Sequence, residues 1–237
     1  MAELAAIALH HEGADLIGRI AVPAGPGPHP AVLVVHNAHG IGPAMHERAQ
    51  ILADAGYIAL AADMYGGGIH YGAPEDAGEP FSSLVGTPGR LRARVTAWYE
   101  HLKTLPGVDP ARVAAIGYCF GGMCVLELAR GGADARAIIS YHGILKTAAP
   151  AQPGAVKGKV AVYTGGRDPY APLSDVDALR AEMIAAEADY AITIFGQAFH
   201  SFTDPHADEM GREGIAYDAL SAKLAWAGTM TLLDAVV

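Results

Sequence analysis

The chain has 237 residues, of which 51% are hydrophobic and 17% are charged, and its net charge is −9. This length is enough for one sizeable hydrophobic core, and the composition excludes a disordered chain. An acidic chain without a basic patch binds nucleic acid poorly, so no nucleic-acid partner is expected. No run of about 18 apolar residues predicts a membrane span. The N-terminal segment lacks the basic and cleavage signals of a secretory leader, and we expect a cytoplasmic protein.

The first half of the chain alternates apolar runs with segments of helical spacing. Two short strands are predicted at residues 4–13 and 16–24, and the short turn between them allows an antiparallel edge pair. Continuous apolar runs, typical of strands buried on both faces, follow at residues 31–36 and 58–63. Helices are predicted at residues 44–57 and 89–105. Residues 64–87 are rich in Gly and Pro and predict a long loop.

The second half repeats this alternation with four more strands. They are predicted at residues 112–118, 135–143 and 189–196, and within 158–172, where the strand runs into a loop. Helices are predicted between and after them, at residues 120–131, at 174–188 with Ser174 as N-cap, and at 213–236. Strands that alternate with helices predict an α/β protein with a mainly parallel central sheet and helices on both faces. We expect a single domain over residues 1–237.

A glycine-flanked cysteine stands where the strand at residues 112–118 meets the next helix. Residues 117–121, Gly-Tyr-Cys-Phe-Gly, fit the G-x-nucleophile-x-G elbow, a strained turn in which only small residues fit beside the nucleophile. The turn places the Cys119 sulfur at a helix N-terminus, where the helix dipole favours a thiolate. The N–H of Phe120 then points toward a developing oxyanion. The alternative is a glycine-rich turn that carries a buried thiol.

An acid and a base follow two later strands, in the chain order Cys119, Asp168, His200. Ligands of such sheets bind at the carboxyl ends of the strands, where all three residues are expected. His200 can take the thiol proton and later protonate a leaving group, and Asp168 can orient His200 and stabilise its cation. Taken singly, Asp168 also fits a turn-forming Asp-Pro, and His200 an ordinary loop residue. Together the three residues predict a catalytic triad.

These motifs make the sequence similar to the dienelactone hydrolase family, whose members have the α/β-hydrolase fold and a cysteine nucleophile. The match rests on GYCFGG around Cys119, GGRDPYAP with Asp168 and FHSF with His200, and it extends over nearly the whole chain. The resemblance implies a hydrolase of small esters or lactones that uses these residues, a thioester intermediate and no cofactor. It also implies that the N–H of Ala38 is the second oxyanion donor, beside that of Phe120.

The chain departs from the family pattern at two positions. Asn37 stands where the dienelactone enzymes have an acidic residue near the cysteine, and Asp204 stands where they have an arginine that holds the substrate carboxylate. We therefore expect a neutral or less acidic small ester or lactone as substrate. Arg90, Arg92 and Arg94 are open to two interpretations, a partial replacement of that arginine or a solvated helix start. The substrate pocket is expected to include Asn37, Tyr65, Phe81, Tyr118 and Asp204.

Two other functions remain open at the level of sequence. The neutral Asn37 also suits a catalytically silent, ligand-binding relative with the same fold. Within enzymes, a thioester or a haloacid-like compound is a further possible substrate class. His36, His39 and His200 lack a carboxylate at metal-ligand spacing, so no metal is expected. Cys124 is predicted to be a core residue, and the protein to be a monomer or a homodimer.

Overall fold

The structure, a computed structural model, describes residues 4–87 and 89–237. Residues 1–3 of the N-terminal segment, in which no leader was predicted, lie outside the described residues. The chain divides into two compact units, Met1–Ala115 and Ile116–Val237. The expected single domain stays a prediction. Among the helices described, none is both long and apolar enough to cross a bilayer.

The first unit starts with an antiparallel hairpin, as predicted. Strand β1 (Ala5–His11) pairs antiparallel with β2 (Ala14–Ala21), and β2 pairs antiparallel with β4 (Ile58–Ala62). Strand β3 (His29–Val35) lies parallel to β4, so the order in this unit is β1-β2-β4-β3. Residues 31–35 of β3 and all residues of β4 are apolar and buried, which confirms the two predicted interior strands. The unit also holds α1 (Pro43–Asp54) and α3 (Arg90–Thr104).

The loop predicted over residues 64–87 is wrong in its second half. A 3-10 helix (Pro74–Ala77) leads directly into helix α2 (Gly78–Gly86). The apolar residues Phe81 and Leu84 are three apart, a helical spacing that the dense Gly and Pro content of the segment obscured. Leu84 is buried, so packing of this apolar side chain stabilises α2.

The second unit continues the alternation of strands and helices. Strand β5 (Val108–Tyr118) starts in the first unit and ends in the second, and it leads into α4 (Phe120–Arg130). Strands β6 (Ala137–Tyr141), β7 (Lys159–Gly165) and β8 (Tyr190–Phe195) then pair in parallel, in that order. The remaining helices are α5 (Leu173–Ala185), a short 3-10 helix (Ala207–Met210) and α6 (Ala219–Val236).

Two predicted helix starts are wrong because local hydrogen bonding decides them. Pro172 is the N-cap of α5, and Ser174 lies inside the first turn without acting as a cap. Helix α6 begins at Ala219, six residues after the predicted start, because Asp218 caps it by accepting a hydrogen bond from the N–H of Ser221 (2.9 Å). The segment before Asp218 makes a different contact and is not part of the helix, since the Gly214 carbonyl accepts a hydrogen bond from the N–H of His200.

Over the described residues, eight strands alternate with six α-helices, and three of the five pairings named above are parallel. The predicted α/β class with a mainly parallel sheet is confirmed. In the second unit, Cys119 follows the last residue of β5 directly. Asp168 lies three residues after the end of β7, and His200 lies five residues after the end of β8.

Candidate active site

Cys119 occupies a strained backbone conformation between β5 and α4. Its φ and ψ are 54° and −114°, a region that residues other than glycine rarely adopt. The Cys119 N–H donates to the carbonyl of Tyr141 (3.0 Å), which fixes the turn to the end of β6. Helix α4 starts at the next residue, Phe120, so the cysteine stands at the N-terminus of an eleven-residue helix. The partial positive charge there stabilises an anion.

The glycines around Cys119 are required by backbone packing. A Cβ at Gly117 would lie 2.0 Å from the carbonyl oxygen of Gly121, so the residues two before and two after the cysteine meet as predicted. A Cβ at Gly122 would lie 2.7 Å from the Cα of Gly143, which lets α4 start close against the turn that follows β6. This part of the sequence prediction rested on sterics alone, and the geometry confirms it.

A second glycine pair brings the loops after β7 and β8 together. A Cβ at Gly165 would lie 2.4 Å from the Ala198 carbonyl oxygen, and one at Gly166 would lie 2.8 Å from the Gly196 carbonyl oxygen. The N–H of Arg167 donates to the Ala198 carbonyl at 3.0 Å. Asp168 follows in one loop and His200 in the other, so this close approach carries the carboxylate to the imidazole.

Asp168, His200 and Cys119 form one chain of hydrogen-bonding contacts. Oδ2 of Asp168 accepts from Nδ1 of His200 at 2.8 Å, and Nε2 of His200 lies 3.1 Å from Sγ of Cys119. The other carboxylate oxygen accepts from the N–H groups of Tyr170 (2.8 Å) and Ala171 (3.2 Å), which fixes the carboxylate plane. Asp168 and His200 are each 3% exposed, whereas Cys119 is partly exposed.

The environment of His200 favours its cation. Burial by itself lowers the pKa of His200, but the charge of Cys119 and the hydrogen bonds to Asp168 and Cys119 outweigh it and raise the pKa to about 10. An imidazole beside a sulfur anion on one nitrogen and a carboxylate on the other holds its proton tightly. At neutral pH the raised pKa keeps the imidazole of His200 protonated.

Two aromatic side chains that sequence reasoning left out pack against His200. The His142 ring lies 5.2 Å from the His200 ring in a T-shaped arrangement, and the Tyr170 ring lies 4.6 Å from it. Tyr170 belongs to the GGRDPYAP segment and was given no role. His142 follows β6, the one strand of the second unit whose carboxyl end was not considered, and a survey of every strand end would have found it.

The predicted site residues of the first unit lie after β3, after β4 and in α2. The side-chain oxygen of Asn37 accepts a hydrogen bond from the N–H of His39 (3.0 Å). The backbone carbonyl of Asn37 accepts one from Nδ1 of His36 (2.6 Å). The amide of Asn37 thus shapes its own loop. The Tyr65 hydroxyl donates to the Ala38 carbonyl at 3.4 Å. Phe81 lies in α2 and is half-buried. The roles assigned to these residues stay predictions.

Two further candidate pocket residues, Tyr118 and Asp204, belong to the second unit. Tyr118 is buried, and its ring stacks on that of Tyr141 at 4.8 Å with nearly parallel planes. Asp204 caps a turn, since its Oδ1 accepts from the N–H of His206 at 2.9 Å. Their contact with a substrate stays a prediction.

Two arginines considered as carboxylate ligands have partners within the first unit. Nη1 of Arg94 donates to the Met64 carbonyl (2.9 Å), and Nη1 of Arg90 donates to the Ser83 hydroxyl (2.8 Å). Arg94 is buried, which suits a packing role for this side chain.

The described residues contain no group of three or more His, Cys, Asp or Glu side chains that could hold a metal ion. His36 is fully buried, and its Nε2 accepts from the N–H of Met64 at 3.1 Å. Burial lowers the pKa of His36, so this ring is neutral and structural. Neither Cys119 nor Cys124 forms a disulfide, and Cys124 is the buried core residue that was predicted. Burial raises the pKa of Cys124 well above its ordinary value, which keeps it an inert thiol.

Comparison with known proteins identifies the family of the chain. The family model of the dienelactone hydrolase family matches residues 16–237. The chain belongs to the dienelactone hydrolase family. The α/β-hydrolase fold predicted from the resemblance is therefore confirmed, and so is the general activity of the family, hydrolysis.

Three relatives illustrate the similarity within the dienelactone hydrolase family. The structure of a dienelactone hydrolase-like promiscuous phosphotriesterase from metagenomic libraries is 34% identical, with a TM-score of 0.90 over 99% of both chains. An uncharacterized protein of Caenorhabditis elegans is 36% identical over 61% of this chain and 93% of its own. A putative carboxymethylenebutenolidase of Synechocystis sp. is 24% identical over 93% of this chain and 92% of its own.

Proposed function

We propose that this dienelactone hydrolase family member cleaves small esters or lactones through a triad of Cys119, His200 and Asp168. The observation that carries the proposal is the hydrogen-bonded chain from Asp168 Oδ2 through His200 to Cys119 Sγ, with contacts of 2.8 and 3.1 Å. The strained elbow adds a second argument, because strain at φ 54° persists only where the surrounding structure enforces it. Such strain clusters at active sites.

The proposed reaction has two steps. His200 holds the proton of Cys119, and the thiolate attacks the ester carbonyl to form a tetrahedral intermediate. The C–O bond to the leaving group then breaks, His200 gives its proton to the departing oxygen, and a thioester remains. In the second step His200 takes a proton from water, the hydroxide attacks the thioester, and the acid is released as Cys119 regains its starting state. Asp168 stabilises the imidazolium in both steps.

The developing oxyanion needs hydrogen-bond donors. The N–H of Phe120 is suited to this, because Phe120 is the first residue of α4 and its amide lies at the positive end of the helix dipole. The N–H of Ala38, implied by the family resemblance, is proposed as the second donor.

The proposed substrate is a neutral or weakly acidic ester or lactone. Asp204 stands where the dienelactone enzymes carry a carboxylate-binding arginine, and its charge disfavours an anionic substrate there. Asn37 cannot accept the thiol proton, so activation of Cys119 falls to His200 alone. Because a structure 34% identical to this chain is that of a promiscuous phosphotriesterase, an aryl phosphotriester also belongs among the compounds to test.

Two cysteines that form no disulfide suit a reducing compartment, and we propose the cytoplasm.

The decisive experiment is hydrolysis of small p-nitrophenyl esters and lactones by the wild-type protein and by Cys119→Ala. Turnover should be lost in Cys119→Ala with the fold intact. Cys124→Ala is the matched control, since Cys124 is a buried thiol five residues further along α4 and should keep activity. Hydrolysis by Cys119→Ala at the parent rate would refute the assignment.

A silent ligand-binding protein is the competing hypothesis, and the reactivity of Cys119 separates the two. Alkylation of Cys119 by iodoacetamide, followed against pH, should be fast well below the pH at which a free cysteine reacts. A profile like that of a free cysteine, together with no turnover of any ester, would favour the silent protein.

A further inference from the structure

The carboxyl end of β6 carries a buried histidine that the proposed mechanism does not use. His142 is 2% exposed, and its φ is 37°, in the left-handed region. Its N–H donates to the Tyr163 carbonyl at 2.8 Å, so the backbone is held in this strained conformation. A buried imidazole on strained backbone beside a candidate active site calls for a function that a smaller or apolar residue would not serve.

The ring of His142 contacts three residues of the segment that begins with His200. Nε2 of His142 lies 2.8 Å from the hydroxyl oxygen of Thr203. The ring packs against Phe202 at 5.4 Å and an interplanar angle of 81°, and against His200 at 5.2 Å and 69°. Phe202 and Thr203 follow His200 closely in the chain, so a single side chain just after β6 contacts the turn at several residues.

The position of the His200 ring has to satisfy two partners at once. Nδ1 must meet Asp168 while Nε2 meets Cys119, and a rotation of the ring about its own side-chain bonds breaks at least one of these contacts. The residue after His200, Ser201, also has a positive φ of 58°, so the backbone of this turn is strained and needs support. His142 supplies that support from another strand.

We propose that His142, hydrogen-bonded to Thr203, is a positioning residue. It holds the His200 imidazole in the orientation in which Nδ1 meets Asp168 and Nε2 meets Cys119. The inference rests on the proposed function of the triad. It differs from ordinary packing in one respect. Packing would be satisfied by any ring of similar size, whereas positioning through Thr203 needs the hydrogen bond as well. His142→Phe keeps the ring and removes the bond, and Thr203→Val removes the same bond from the other side.

The test uses the full chain and the variants His142→Phe, Thr203→Val, the double variant and His142→Gln. The first readout is the rate constant for alkylation of Cys119 by iodoacetamide at pH 7. Displacement of a reacting group by about 1 Å reduces a rate on the order of a hundredfold. Loss of one supporting hydrogen bond should displace the His200 ring by less than this, so we expect the alkylation rate constant to fall about tenfold in each single variant. The double variant should lose no more than either single one, since both remove one interaction. His142→Gln keeps a hydrogen-bonding group toward Thr203 and should recover most of the rate.

The second readout does not depend on the reactivity of Cys119. The proton on Nδ1 of His200, bonded to Asp168, gives a low-field NMR resonance, which should broaden or vanish in His142→Phe and Thr203→Val. Ser140→Ala is the matched control, because Ser140 is buried in β6, two residues before His142, and its Oγ makes no hydrogen bond. Its resonance, its alkylation rate and kcat should equal those of the wild type.

The outcomes are distinguishable. An unreactive Cys119 in the wild type would refute the proposed triad chemistry, while the NMR comparison would still test the positioning of His200. Wild-type alkylation and an unchanged resonance in both His142→Phe and Thr203→Val would show that His142 only packs, and would overturn the inference. If His142→Phe does not fold, as judged by circular dichroism, Thr203→Val decides the question by itself.

Discussion

Replacing Gly117 by alanine tests whether the elbow is built by backbone contact. The new Cβ would lie 2.0 Å from the Gly121 carbonyl oxygen and 2.2 Å from its carbonyl carbon, about 1 Å closer than real Cβ atoms approach their neighbours. Both contacts are to backbone, so no side chain can rotate away. The start of α4 has to move by about that distance. Overpacking of this kind costs about 1–3 kcal/mol of stability, and a clash between two backbones belongs at the upper end.

The same displacement acts on Cys119, which stands between the two glycines. A shift of about 1 Å in a reacting atom reduces turnover on the order of a hundredfold. We therefore expect Gly117→Ala to lose about 3 kcal/mol in urea unfolding and about a hundredfold in kcat for a p-nitrophenyl ester, measured at a temperature where the variant is folded.

Gly78→Ala is the matched control for this experiment. Gly78 is the first residue of α2, has helical φ and ψ of −56° and −42°, and a Cβ there would meet nothing within 4 Å. Alanine should leave kcat unchanged and stabilise the protein by about 0.5–1 kcal/mol, because glycine is unfavourable in a helix. If Gly117→Ala were as stable and as active as Gly78→Ala, the steric account of the elbow would be wrong.

Three further predictions concern Asp168, His200 and Arg130. Asp168→Asn should lower kcat for a p-nitrophenyl ester by about a thousandfold or more with little change in urea unfolding, because the amide no longer stabilises the imidazolium; parent activity would contradict the role of the carboxylate. The pKa of His200 is raised from 6.5 to about 10 in the folded protein, so its contribution to stability is complete below pH 6.5 and lost as pH rises toward 10. In the unfolded chain Cys119 loses its thiol proton near a pKa of about 8.5, whereas the proposed thiolate–imidazolium pair of the folded protein keeps one proton until about pH 10. Urea unfolding between pH ~8.5 and ~10 should therefore show the free energy of unfolding falling with pH, more steeply in the wild type than in Cys119→Ser, and a rise over this interval would refute the assignment. Arg130→Leu should cost about 3–5 kcal/mol, since it removes the guanidinium from the buried carboxylate of Glu127 (3.1 Å) and from the largely buried carboxylate of Glu182 (2.8 and 2.9 Å). The kcat of the folded variant should stay the same, and unfolding curves and kcat measured in parallel would show whether the effect is on stability alone.

The strands and the elbow could be predicted from the sequence because their causes are local. A run such as residues 58–62, entirely apolar and flanked by polar residues, has few stable arrangements other than an interior strand. The elbow is local in the same sense, since Gly117, Cys119 and Gly121 are within five residues of one another and hard-sphere sterics decide what fits. The family resemblance rests on the same short segments.

The errors arose where distant residues or single hydrogen bonds decide the structure. Helix α2 was missed because its Gly and Pro content resembles a loop, and burial of Leu84 stabilises it. The start of α6 depends on the Asp218 cap, and the segment before it is occupied by the hydrogen bond between Gly214 and His200.

The sequence by itself determined the α/β class and the family. It also singled out Cys119, Asp168 and His200 as candidates, because each follows a strand and parallel strands end at one edge. Only the tertiary structure decided that Asp168 and His200 meet, through the close approach of Gly165 to Ala198. It also decided that His142 and Tyr170 pack against the His200 ring. Contacts between residues from different strands depend on register and loop geometry, which periodicity along one chain segment does not contain.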